Sequence, residues 1–150
     1  MSDYEGHELS MNADEAFARA ALYTDETHYR LIHLPPHAIM AGAGVLAEIG
    51  TPFSALIADK DEVTLLLPGA EWDMFADRLP DHRAAGDYRL ITFDLPLNLD
   101  LIGFMALVSR ILADAHVSIL ALSAFERDHI LVPAAQFQTA WDALRAAQSS

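Results

Sequence analysis

Cysteine is absent from this chain, and bases are scarce: nine Lys and Arg stand against 22 Asp and Glu, for a net charge of −13. The first absence excludes disulfides and agrees with a cytoplasmic protein. The second bears on partners. Nucleic acid and anionic lipid both demand a clustered basic face, because neutralising phosphate supplies most of that affinity. Here the bases are spread singly from Arg19 to Arg145, so neither nucleic acid nor membrane is expected as a partner. No apolar run approaches the roughly 20 residues of a membrane span. The start, MSDYEGHELS, is acidic and lacks the basic and apolar regions of a signal peptide. A cytoplasmic location is therefore expected.

Catalytic signatures are missing as well. There is no G-x-S-x-G elbow to present a serine nucleophile. The stretch AGAG, Ala41 to Gly44, has neither the glycine spacing nor the following Lys-Ser/Thr of a phosphate loop, and reads as a flexible connection. The seven histidines raise a metal question, with His33 and His37 the tightest pair. The intervening Leu-Pro-Pro breaks any helix, so the two do not share a helical face. No enzyme activity, cofactor or metal site is expected.

What the chain has is apolar material: 53% hydrophobic residues over 150 positions, with a mean hydropathy of +0.19. That suffices for one domain or two small ones. The surplus of acids serves solubility and favours a cationic or zwitterionic ligand over an anionic one.

The sequence also repeats itself. YRLIHLPPHAI opens at Tyr29 and YRLITFDLPLNL opens at Tyr88, each beginning a strand-like run. Further on, VTLLLPGAEWDMFADRL from Val63 aligns with DHILVPAAQFQTAWDAL from Asp128, pairing Pro68 with Pro133, Trp72 with Phe137, Asp77 with Asp142 and Leu79 with Leu144. Two blocks in the same order point to a duplication.

In the second copy, Tyr88 to Asp94 reads as a strand. Leu101, Phe104, Met105, Val108, Ile111, Leu112 and Ala115 then fall on one face of an amphipathic helix, with Asp100 placed to cap its start. His116 stands where a left-handed residue usually ends such a helix. Val117 to Ala124 is almost continuously apolar, as a strand covered on both faces would be. Phe125 to Arg127 turns, Asp128 to Val132 returns as a partner strand, and Pro133 suits the first turn of a last helix whose stripe is Phe137, Ala140, Trp141 and Leu144.

The first copy gives the same order at lower contrast. Strands are expected at Tyr29 to Leu34, Phe53 to Asp59 and Glu62 to Leu67, with an ill-defined helical or loop piece within His37 to Ile49 and a helix near Gly69 to Leu79. Strand, helix, strand, strand, helix, strand is the split βαβ of a ferredoxin-like unit, an α+β arrangement with helices on one face of an antiparallel sheet. Two such units are expected, at residues 1–84 and 85–150. The second lacks a fourth strand of its own. Glu15 to Tyr23 is expected to supply it as a strand from within residues 1–27, exchanged between units and running into a hairpin at TDET, although its alanines favour a helix.

The chemistry concentrates in two stretches, LDLIG (Leu99 to Gly103) and FERD (Phe125 to Asp128). If they meet, amides at the helix start near Gly103 can hold a carboxylate, and Asp128 or Asp100 can take an ammonium group. A plain helix cap for Asp100 and a packing role for Gly103 are equally open from pattern. Glu126 and Arg127 read as solvated turn residues. Ser123 near Asp128 offers no more than any strand hairpin would.

The stretch LDLIGFMALVSRILADAHVSILALSAFERDHILVP, Leu99 to Pro133, resembles the second domain of tandem ACT-domain proteins, the group that includes aspartokinase-type regulatory domains and the CASTOR arginine sensors. The likeness is carried by Asp100, Gly103, HVSI, SAF and DHILVP. It implies two ACT-like βαββαβ units and a non-catalytic regulatory role, with an amino acid bound at a domain or subunit interface. Under it Phe125 and Asp128 match positions that line the ligand site, and Gly103 matches the helix-start glycine. The ligand-binding set expected is Asn98, Asp100, Leu101, Ile102, Gly103, Phe125 and Asp128.

Three positions depart from that group. Leu101 stands where relatives often carry an acid suited to a guanidinium, His116 replaces a usual glycine, and IADKDEVT in the first copy keeps only Glu62 and Thr64 of its pattern. The chain is expected to form a homodimer and to pass ligand occupancy to an unidentified protein partner. The competing reading is a structural or protein-interaction module whose ligand site has decayed.

Overall fold

A computed structural model describes residues 11–50 and 52–150. The acidic first ten residues, read above for a leader, lie outside that range. The chain divides into two compact units, one formed by Glu26–Tyr88 and the other by the chain up to Asp25 together with Arg89–Ser150. The division falls at Tyr88 rather than at 84, and the N-terminal segment groups with the second unit.

In the Glu26–Tyr88 unit the strands are β2 (Tyr29–Leu34), β3 (Ala55–Ala58), β4 (Val63–Pro68) and the first half of β5 (Arg83–Asp94). β2 is central: it pairs antiparallel with β4, Ile32 opposite Leu65, and with β5, Ile32 opposite Ala84. β3 pairs with the far side of β4. Alternation sets the core, because Ile32, Leu34, Val63, Leu65 and Leu67 point to one face and meet Val45 of α2 (Ile39–Ile49) and Trp72 of α3 (Gly69–Phe75). Gly86 lies where the pairing with β2 shifts register, at φ 148°, and a Cβ there would stand 2.9 Å from the Tyr29 carbonyl oxygen.

The segment His37 to Ile49, ill-defined in the sequence, is a short 3-10 turn at Pro36–Ala38 followed by the helix α2. The expected third helix stops at Phe75 and continues as a 3-10 turn, Ala76–Arg78.

The other unit begins with α1 (Ala13–Arg19), and here the expected strand over Glu15 to Tyr23 is corrected. Asn12 accepts from the Glu15 amide at 2.9 Å while the Glu15 carboxylate accepts from the Asn12 amide at 3.0 Å, a reciprocal capping box. That box and the alanines hold Glu15 to Arg19 helical. Gln148 then donates to the carbonyl oxygens of Phe17 and Ala20 at the helix end. Only β1 (Ala21–Tyr23) is extended, pairing antiparallel with the second half of β5, Leu22 opposite Phe93.

The remaining elements are α4 (Phe104–Asp114), β6 (Leu120–Ser123), β7 (Asp128–Pro133) and α5 (Phe137–Ser149). β7 lies between β5 and β6. Phe17, Ile91, Phe93, Phe104, Val108 and Leu112 pack with α5 residues Ala140 and Leu144 in one apolar core. The Phe93 and Phe104 rings meet edge to face at 5.4 Å, which pins the first residue of α4 against the sheet.

Three finer expectations change. α4 starts at Phe104, so Asp100 is not its cap. β6 alternates between half-buried and exposed residues, so it has one open face despite its apolar composition. Pro133 ends β7, and a 3-10 turn at Ala134–Gln136 intervenes before α5. His116, at φ 61°, does take the left-handed conformation.

Candidate functional site

The loop leaving β5 is tied down at three points. The Leu97 amide donates to the Glu126 carbonyl at 2.6 Å, which clips the loop to the turn between β6 and β7. The Leu101 amide donates to the Asn98 carbonyl at 3.0 Å, and the Asp100 amide to Asn98 Oδ1 at 3.3 Å, closing a turn over 98–101. That turn uses up the residues expected to begin the helix. The helix begins three residues later, after Gly103, whose φ of 89° suits a residue without a Cβ.

Among the described residues no side chain caps α4. Leu107 is the first residue to donate to a carbonyl of its own helix turn, that of Gly103 at 3.0 Å, so the amides of Phe104, Met105 and Ala106 have no intrahelical acceptor. They form the positive end of an 11-residue helix.

Opposite them stands the β6–β7 hairpin. Ser123 and Asp128 form its last cross-strand pair, and the Ala124 amide donates to the Arg127 carbonyl at 2.9 Å. Arg127 folds back: its Nε donates to Asp94 Oδ1 at 2.8 Å and its Nη1 to Glu126 Oε1 at 3.3 Å. The guanidinium thus engages two of the three neighbouring carboxylates. The carboxylate of Asp128, a half-buried residue, makes no hydrogen bond or ion pair among the described residues.

Between the two walls lies a cleft of about 330 Å³. Of the expected set, Asn98, Leu101, Gly103, Phe125 and Asp128 line it together. Asp100 and Ile102 do not. Asp100 is exposed, and Ile102 is 88% exposed.

Sequence reasoning missed Leu97, Leu99, Met105, Ser123, Glu126 and Arg127, which also line the cleft. Met105 carried a signal, being two residues beyond Gly103 at the helix start. Arg127 carried none, since its bond to Asp94 spans 33 positions; the expected solvated turn residue is a half-buried clamp.

His129 belongs to the other face of β7, as neighbouring strand residues must. Its Nδ1 is 2.8 Å from the hydroxyl of buried Thr92. Burial holds this imidazole below the ordinary histidine range, with Arg127 acting in the same direction and Asp128 against it. In the other unit, His33 Nε2 lies 3.3 Å from Glu62. Among the described residues no group of three or more His, Asp or Glu side chains is arranged to hold a metal ion, and no helix is long and apolar enough to cross a membrane.

Comparison with known proteins places this geometry. Residues 83–146 match the ACT domain, so the matched segment includes the whole cleft. No match is found among curated proteins. Among solved structures, a protein of Agobacterium tumefaciens is 25% identical, with a TM-score of 0.68 over 87% of this chain and 90% of its own. A Vibrio cholerae protein of unknown function is 18% identical, with a TM-score of 0.70 over 90% of this chain and 94% of its own. The regulatory subunit of aspartate kinase from Thermus flavus is 12% identical, with a TM-score of 0.63 over 85% and 97%. The last two likenesses are of fold alone, an antiparallel α+β architecture of the ACT type.

Proposed function

We propose that this chain is a non-catalytic regulatory module of two tandem ACT-like units that binds a free amino acid in the cleft between α4 and the β6–β7 hairpin. The observation that carries the reading is the opposition across one cleft of two groups left unused by the described residues: the amides at the start of α4 and the carboxylate of Asp128. An α-carboxylate suits the first and an α-ammonium the second. The ACT match over residues 83–146 supports it. So does the strand order, because β1 stands beside β5 in the place a fourth strand fills, as β5 itself does beside β2.

The non-catalytic part of the reading rests on the ACT match. Ser123 faces Asp128 across the hairpin, while His129 is engaged with Thr92. Regulation would follow from differential affinity, the ligand favouring whichever arrangement holds the two walls at binding distance. The reading includes a homodimer and a protein partner that senses occupancy.

Thermal unfolding with each of the twenty standard amino acids tests the reading. A ligand at a hundredfold its dissociation constant adds about 2.7 kcal/mol, roughly 5 to 10 °C at this size. A shift with at least one amino acid, lost in Asp128→Ala, is the expected result.

The second reading, an interaction module with a decayed site, is favoured by one feature of the first copy. Its hairpin is satisfied internally: Asp59 Oδ1 accepts from the amides of Asp61 and Glu62 at 2.8 and 3.0 Å, and Lys60 pairs with Asp61 at 2.8 Å. Under that reading a tight oligomer forms and no amino acid shifts the transition.

A further inference from the structure

We infer that the cleft selects an amino acid with an uncharged, apolar side chain; the inference rests on the reading of the cleft as an amino-acid site and specifies what it takes. Three observations carry it.

The first is the charge inventory. Three carboxylates stand at or beside the hairpin: Asp94, Glu126 and Asp128. Arg127 occupies Asp94 at 2.8 Å and Glu126 at 3.3 Å. One carboxylate remains, and a zwitterion's ammonium consumes it. A lysine or arginine ligand would bring a second cation to a cleft whose lining holds no second uncommitted acid among the described residues. That cation would have to compete with Arg127, whose guanidinium is already placed, or lose its water without compensation.

The second observation is the apolar lining. Leu97, Leu101 and Met105 present hydrocarbon to the cleft, and Leu99 and Phe125 lie at its mouth 69% and 68% exposed. Large apolar side chains left this open gain by covering one another across a ligand. A hydrocarbon side chain buries surface against all five. A charged side chain leaves them wet or is itself desolvated among them.

The third is the field of the whole chain. At −13, the protein repels a ligand of net negative charge, which disfavours aspartate and glutamate. Cationic side chains are thus disfavoured locally, anionic ones globally, and a neutral apolar one meets neither obstacle.

The test is thermal unfolding of the full chain with L-leucine, L-methionine, L-phenylalanine, L-arginine, L-lysine and L-glutamate at equal concentration, in wild type, Asp128→Asn and Arg127→Met. The expected result is an upward shift with one or more of the three apolar amino acids and none with the three charged ones. Asp128→Asn should lose the shift. Arg127→Met, which releases Asp94 and Glu126, should gain a response to arginine or lysine.

The outcomes separate the two readings. A shift with a charged amino acid in wild type, lost in Asp128→Asn, overturns the apolar preference and leaves the site standing. An apolar shift unchanged in Asp128→Asn overturns the site. No shift with any of the six overturns the apolar preference, and extending the set to all twenty then decides the site.

Discussion

Arg127 reaches across from the β6–β7 turn to Asp94 at the end of β5, Nε to Oδ1 at 2.8 Å, and its Nη1 meets Glu126 at 3.3 Å, which leaves Asp128 the open carboxylate of the cleft among the described residues. Were the guanidinium absent, the hairpin would present two acids to the cleft, Glu126 and Asp128, rather than one, with Asp94 freed beside it. The predicted consequence is a change of specificity more than of stability. Arg127→Met should weaken discrimination against arginine and lysine at least tenfold, read as the ratio of dissociation constants for L-arginine and L-leucine by calorimetry. An unchanged ratio would separate Arg127 from ligand choice.

Gly103 carries the next prediction. Its φ of 89° is a conformation that L side chains rarely adopt, although the nearest atom to an added Cβ, that of Ala13, is 3.8 Å away. The obstacle to a side chain is therefore backbone strain, not lack of room. Gly103→Ala should lower stability by about 1 to 2 kcal/mol in urea unfolding, and it should also weaken any ligand held by the α4 amides. A neutral effect on both would mean that the loop readjusts freely.

The capping box of α1 predicts a smaller loss. Asn12→Ala removes the acceptor for the Glu15 amide and should cost about 1 kcal/mol. Because α1 leads directly into β1, hydrogen exchange should quicken at Leu22 and Tyr23 ahead of β7.

The sequence made some of this fold legible and hid the rest for physical reasons. The stripe Phe104, Val108 and Leu112 foretold α4, since one face of that helix meets the core and the other meets water. α2 was illegible because it is apolar nearly all round: Val45 is buried, yet Met40 is 82% exposed, so no period marks an inner face. β6 misled in the opposite way, its leucines suggesting two covered faces where the strand has one. At the cleft, Gly103 and Asp128 follow from local pattern and Asn98, Leu101 and Phe125 from the resemblance to ACT domains, and all five adjoin the cavity. Asp100 was misplaced because a turn, invisible as a hydrophobic period, takes the positions before Gly103. Arg127 was missed because its partners are set by the pairing of distant strands.

His129 predicts a dependence on pH. Burial depresses its folded pKa, so the unfolded chain binds the proton more readily. Above the ordinary value of 6.5 both states are neutral and the group costs nothing; as pH falls from there through the depressed folded value, stability is lost. Urea midpoints measured from pH 7.5 to 5 should fall in wild type and fall less in His129→Asn. Equal slopes would remove His129 as the cause.

The central claim is that an amino acid binds between the start of α4 and Asp128, and backbone amide resonances report on that place directly. The measurement is a two-dimensional nitrogen–proton spectrum of the labelled chain, titrated with a pool of the twenty standard amino acids. Shifts concentrated at Gly103–Ala106 and Ser123–Asp128 are the expected result. Shifts centred on the Asp59–Glu62 hairpin, or a spectrum that does not move, would contradict it.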